Sequence, residues 1–177
     1  MGLPIKNSTN PSLKFKNCFK KYDLFFTDGS KISDDKFVSA ASFSPKQNKS
    51  IKIKLPHDSL IFTAEAVAIK YTILYILNNK VQKSFMFSDS LSVQMAINKV
   101  FTRESSYLIY DIKKLILEAK ANNLTLRFVW IPSHHSISGN EMSDKLAKEA
   151  TKNFQYLNIK LPYSDLFKRF KDKCKNR

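Results

Sequence analysis

The chain has 177 residues, is 43% hydrophobic and carries a formal net charge of +15. That size and apolar content suit one domain with a real core and exclude a chain disordered throughout. No apolar run approaches the length expected of a membrane span. The charge points to a polyanionic partner, and two-thirds of the excess sits at the ends. Residues 1–22 hold five lysines and no acid, and residues 168–177 hold six basic side chains and one acid. A basic patch of this kind adds affinity without sequence specificity. Residues 1–10 lack the apolar stretch of a signal peptide, so the expected location is intracellular, nuclear or cytoplasmic. Cys18 and Cys174 lie among lysines with no partner at metal-ligand spacing, the pattern of free thiols in a reducing compartment.

In chain order, residues 1–22 read as a basic, irregular leader. Residues 23–28 (DLFFTD) predict a strand ended by the turn-former Gly29. Residues 37–43 and 50–55 predict two more strands. The second alternates Ile51, Ile53 and Leu55 with Lys52 and Lys54, the pattern of a half-exposed strand suited to a sheet edge. Short connections make these three an antiparallel meander.

From Ser59 the period changes. Phe62, Ala66, Ile69, Ile73 and Leu77 fall on one helical face, and Asn78-Asn79 ends the helix. Residues 84–88 predict a short buried strand, and Asp89 or Ser90 is placed to cap the helix after it. A further helix covers about 106–121, with Leu108, Ile112, Leu115 and Ala119 inward. Residues 125–131 form the last strand and 139–151 the last helix of a domain spanning 23–152. Residues 153–177 remain as a basic tail, in which 162–173 suit a short amphipathic helix (Leu166, Phe167, Phe170) without a clear place in the core. The order β-β-β-α-β-α-α-β-α predicts an α/β fold: a five-stranded mixed sheet, three antiparallel strands then parallel ones, flanked by helices.

Four carboxylates stand out. Asp28 is in phase with Leu24 and Phe26, and Asp89 with Phe85 and Phe87, so each shares a strand face with apolar neighbours. Glu65 lies early in an apolar helix. Asp144 lies on the last helix, one turn after Asn140. Singly, each has an ordinary explanation: a turn pair, a helix cap, a favourable place in a helix dipole, a solvated helix residue. Together they suggest another. Converging carboxylates repel unless a cation bridges them. Oxygen ligands suit Mg²⁺ or Mn²⁺, and no Cys or His cluster offers a zinc site. Two such ions activate a water and stabilise the leaving oxygen of a phosphodiester. The stretch from Trp130 to Asp144 adds a loop with His134 and His135, then a Gly139-Asn140-Glu141 helix start. A loop histidine titrates near neutrality and is suited to moving a proton.

The sequence resembles the type 1 ribonuclease H family from about Leu24 to Ala150. The resemblance is carried by Thr27-Asp28-Gly29-Ser30, Thr63-Ala64-Glu65, Ser88-Asp89-Ser90 and the Trp130–Asp144 stretch, in the family's order. It implies a ribonuclease H-like fold and a metal tetrad of Asp28, Glu65, Asp89 and Asp144 holding two Mg²⁺ ions, with Mn²⁺ as a substitute. It implies His134 as the family's loop histidine, with His135 available in its stead, and Gly29, Ser30, Ser90 and Asn140 at the substrate. The implied reaction is hydrolysis of the RNA strand of an RNA–DNA hybrid, leaving 5′-phosphate and 3′-hydroxyl ends. The wording from Ile131 to Ala150, with Pro162-Tyr163-Ser164-Asp165-Leu166 after it, is most similar to domains of non-LTR retrotransposon polyproteins. A monomer is expected, with any reverse transcriptase partner outside this chain.

The chain departs from the family's pattern at several points. Residues 31–39 contain no glycine, Ile61 and Phe62 replace polar amides, His135 replaces an apolar residue and Ser136 replaces a glycine. Serine is expected to resist backbone angles that glycine adopts freely. Two other readings remain open: a catalytically inactive nucleic-acid-binding remnant, and an integrase or exonuclease on a related sheet.

Overall fold

A computed structural model describes residues 21–32, 37–99, 106–133, 135–153 and 156–175. It contains β1 (Asp23–Ile32), β2 (Phe37–Ser44), β3 (Lys49–Leu55), α1 (Ile61–Asn78), β4 (Lys83–Ser88), α2 (Leu91–Asn98), α3 (Tyr107–Ala121), β5 (Thr125–Trp130), α4 (Ser138–Asn153) and α5 (Tyr163–Lys175). The five strands form one sheet in the order β3-β2-β1-β4-β5. The β1–β2 and β2–β3 pairs are antiparallel, and β1–β4 and β4–β5 are parallel. The mixed α/β sheet expected from the element order is therefore present, with β3 at an edge.

Strand alternation divides the core. Phe25, Val38, Ala40, Met86 and Leu55 join α1 and α3 residues such as Ile69, Ile73, Leu108 and Ile112 in the main cluster. Phe26, Phe85, Phe87 and Ile131 form a second cluster, with Phe26 stacked on Phe87 at 4.9 Å between centroids. Ala41 packs with Leu146 and Ala147 of α4 in a third. The neighbours Phe25 and Phe26 thus serve different clusters, as the period of two requires. Helix α1 is long and apolar enough to cross a membrane, contrary to the sequence expectation that no segment is. More than half of it is buried within the domain, against β1, β2 and α3, the position of a core helix.

Two local expectations need correction. Gly29 does not end β1; the strand runs on to Ile32, and Gly29 pairs with Ala40. A side chain there would place its Cβ 2.9 Å from both Ala64 Cβ and the Glu65 backbone nitrogen, so the glycine serves a close approach of α1 rather than a turn. Neither Asp89 nor Ser90 caps α2 with its side chain: Ser90 stands at the N-cap without a side-chain bond to a helix N–H, its hydroxyl meeting that of Ser92 instead, and an Asp89 carboxylate oxygen accepts from Ser133.

The helix in the tail also has a place. After α4, Tyr156 bridges to Lys54 and the Leu157 N–H donates to the Lys54 carbonyl at 2.8 Å, covering the exposed edge of β3. Leu157 and Ile159 pack on the main core. Asp165, only 1% exposed, accepts from the Leu60 N–H at 3.0 Å just before α1. Cys174 is a free, exposed thiol; Cys18 and nearly all of the leader lie outside the described residues.

Candidate metal centre

Parallel register brings the first two acids together. Thr27 pairs with Ser88, so Asp28 and Asp89 are the next residues on adjacent strands. Ser88 pairs in turn with Trp130, which sets the start of the following loop beside Asp89. Glu65 arrives from α1 because Gly29 lets the helix approach. The result is a cluster, buried at Asp28 and Glu65 and half-buried at Asp89, in which one carboxylate oxygen from each lies within 4.8 Å of the others. Asp144 lines the same cavity of about 480 Å³ from α4. It stands on the rim, with its Oδ2 held by Lys148 Nζ at 2.6 Å.

Helix α4 is fixed against the sheet by close packing. A Cβ on Gly139 would fall within 2.3–2.5 Å of the Phe26 ring, so the helix start lies directly on the second aromatic cluster. The Ser39 hydroxyl bonds to the Ala147 carbonyl, and Lys52 pairs with Glu149 at 2.9 Å. These contacts hold Asn140 and Asp144 over the acids.

Charge is concentrated here at a cost. The Asp28 carboxyl is pushed up to about 7, chiefly by burial and then by the charges of Asp89 and Asp144; the Gly29 N–H opposes this. Glu65 is raised well above the usual carboxylate range, again by burial first and then by Asp28 and Asp89. Among the described residues, Glu65 Oε2 and Asn140 Oδ1 are buried without a hydrogen-bond partner. Such orphaned acceptors are expensive. A hard divalent cation fits this donor set: it takes oxygen ligands and removes the repulsion.

The loop after β5 is built around Asp89. Trp130, 47% exposed, donates its Nε1–H to the Asp89 carbonyl at 3.1 Å. The Ser133 hydroxyl donates to Asp89 Oδ2 at 2.8 Å. His135 places Nδ1 2.7 Å from the Ser133 carbonyl and lines the cavity. Ser136 adopts φ +53°, the left-handed conformation that a serine was expected to resist. Contacts on either side hold it there: Ser133 to Asp89, and the Asn140 N–H to the Ile137 carbonyl at 2.8 Å. His134 lies outside the described residues.

Of the other expected site residues, Gly29, Ser90 and Asn140 line the cavity. Ser30 does not; it is buried within β1 opposite Ser39, because the strand continues where a turn was expected. Ser133 and Lys148, which orient Asp89 and Asp144, were not singled out from the sequence. Lys148 follows Asp144 by four residues, a readable helical ion-pair spacing. Ser133 had no such signal, because its bond depends on where β5 ends.

The family profile for RNase H matches residues 20–152, about three-quarters of the chain. The chain belongs to the RNase H family. Its five-stranded mixed sheet with flanking helices agrees with that fold. A comparison with curated proteins found no match.

Proposed function

We propose that this RNase H domain is a metal-dependent endonuclease that hydrolyses the RNA strand of RNA–DNA hybrids. The observation that carries the reading is the convergence of Asp28, Glu65 and Asp89 within 4.8 Å, two of them buried with raised pKa values. Asp28, Glu65, Asp89 and Asp144 would together hold two Mg²⁺ or Mn²⁺ ions. Bound there, the ions would supply a nucleophilic water and neutralise the leaving oxygen. Asn140 offers its amide to the nucleic-acid backbone, beside Gly29 and Ser90 on the cavity wall. The 2′-hydroxyl is the group by which an RNA strand differs from DNA at such a site.

A loop histidine completes the assignment. His134 is the residue indicated by the family resemblance. His135 is the alternative: with its Nδ1–H directed at the Ser133 carbonyl, its Nε2 is left to accept a proton. The proposed products carry 5′-phosphate and 3′-hydroxyl ends. The proposed origin in a non-LTR retrotransposon, with a reverse transcriptase partner outside this chain, rests on the wording from Ile131 to Leu166 alone.

The binding-only reading has one observation in its favour. Lys148 already neutralises Asp144, the acid needed for a second ion. One experiment separates the two. A strand-labelled RNA–DNA hybrid is incubated with Mg²⁺ and wild-type protein, beside Asp89→Asn and beside EDTA. The proposal requires cleavage of the RNA strand only, lowered at least about 10²-fold in the variant and abolished by EDTA. Binding without cleavage in either Mg²⁺ or Mn²⁺ contradicts it.

A further inference from the structure

Helix α5 lies beyond the matched family region and presents a large aromatic face to solvent. Tyr163, Phe167 and Phe170 are 79%, 56% and 64% exposed. Their spacing (i, i+4, i+7) sets them on one side of the helix. The Tyr163 and Phe167 rings lie 6.0 Å apart with planes inclined at 32°. The opposite side is anchored: Asp165 is buried and accepts from the Leu60 N–H, and the preceding strap is tied by the Tyr107 hydroxyl to the Lys160 carbonyl. The apolar residues are therefore not held outward for want of a fixed position.

The location of the anchor matters. Ile61, next to Leu60, lines the metal-centre cavity. The first turn of α5 is thus tied directly to one wall of the cleft. From the middle of the helix to the C-terminus, residues 168–177 have six basic side chains against one acid. Aromatic faces interleaved with cations are the means by which proteins hold unpaired nucleotides: rings stack on bases while cations follow the phosphates. A duplex hides its base faces and gives such rings nothing to stack on.

We infer that the Tyr163–Phe167–Phe170 face of α5 is a docking surface for a single-stranded nucleic-acid segment running off the hybrid held in the cleft. The inference rests on the hybrid-binding reading for its geometry, but the surface acts by binding and needs no turnover. Charge complementarity selects the occupant. On the hybrid-binding reading the adjoining cleft takes a polyanion, whose unpaired end would supply both the phosphates for the basic residues of 168–177 and the base faces for the exposed rings.

The test is fluorescence anisotropy with the full chain in EDTA, so that no cleavage intervenes. The probes are a blunt RNA–DNA hybrid, the same hybrid carrying a single-stranded RNA tail at either end, and the RNA tail alone. The wild type is compared with a Tyr163→Ala/Phe167→Ala/Phe170→Ala variant, whose altered side chains are exposed; an unchanged unfolding temperature checks its fold. The expected result is that one tail polarity tightens wild-type binding about tenfold. The variant loses that gain and binds the blunt hybrid like wild type. Equal gains in both proteins, or none in wild type, overturn the inference. So does a variant defect that appears only on anionic phospholipid vesicles or in self-association. If the blunt hybrid is not bound here and is not cleaved when Mg²⁺ replaces EDTA, the hybrid reading fails; the tail alone then decides on α5, binding lost in the variant supporting the surface and equal binding or none overturning it.

Discussion

The two buried acids and the two rim acids of the centre are held in different ways. Asp28 and Glu65 sit on a strand and a helix whose backbones meet at Gly29, and burial raises both pKa values. Asp89 and Asp144 depend instead on polar neighbours, with Ser133 on one and Lys148 on the other. The inner pair is placed by packing, which has no slack. The outer pair is placed by single hydrogen bonds near solvent, each of modest strength. The inner side therefore stores electrostatic strain that either protonation or a metal cation relieves, whereas the outer side is adjustable.

The sharpest way to break this contrast is Gly29→Ala. The added Cβ meets Ala64 Cβ and the Glu65 backbone nitrogen, both at 2.9 Å, and backbone cannot swing aside as a side chain does. A loss of about 2–3 kcal/mol in denaturant unfolding is expected, with a fall in hybrid cleavage as Glu65 moves away from Asp28. A stability change below about 0.5 kcal/mol would show that α1 is not tightly apposed to β1.

A smaller effect is expected on the rim. Lys148→Ala removes the cation that competes for Asp144. Because the pair is largely solvent-exposed, stability should shift by less than about 0.5 kcal/mol. Mg²⁺ affinity at low salt, followed by calorimetric titration, should rise about two- to threefold. Weaker Mg²⁺ binding would mean that the hold of Lys148 on Asp144 helps the site more than its charge competes for the carboxylate.

The loop beside the rim offers a third test, Ser136→Gly. Relief of the left-handed backbone favours the folded state, while the added freedom of glycine favours the unfolded one. A net gain of up to about 1 kcal/mol is expected in thermal unfolding. Destabilisation would mean that the serine side chain contributes more than its backbone costs.

The same contrast explains what the sequence made legible. The acids on β1 and β4 were readable because each sits at a fixed phase from phenylalanines: Asp28 from Phe26, Asp89 from Phe87. Strand periodicity carries through to the structure, and parallel register makes the two acids neighbours. Glu65 was readable as an acid in an apolar helix, but not the reason it reaches Asp28. Gly29 has the composition of a turn, and only the passage of α1 over the strand reveals its purpose. Asp165 followed Pro162 and Ser164 in a pattern typical of a helix start. It does lie in the first turn of α5, yet its carboxylate bonds to the entrance of α1, more than a hundred residues earlier. Local pattern reveals what a residue does for its own element. It does not reveal service to a distant one, which is why Ser133 and Asp165 escaped it.

The central claim is that the inner acids await a divalent cation, and unfolding temperature against pH tests it most directly. A carboxyl raised from 3.8 to about 7 binds more protons folded than unfolded. In EDTA, stability should therefore fall as pH rises through that window, on the order of 2–4 kcal/mol, with Glu65 acting in the same direction. Mg²⁺ binds the ionised form and should restore the loss above pH 7. Asp28→Asn should flatten the EDTA curve and blunt the response to Mg²⁺. A wild-type unfolding temperature that stays level or rises with pH in EDTA, and does not move with Mg²⁺ or Mn²⁺, would contradict the account.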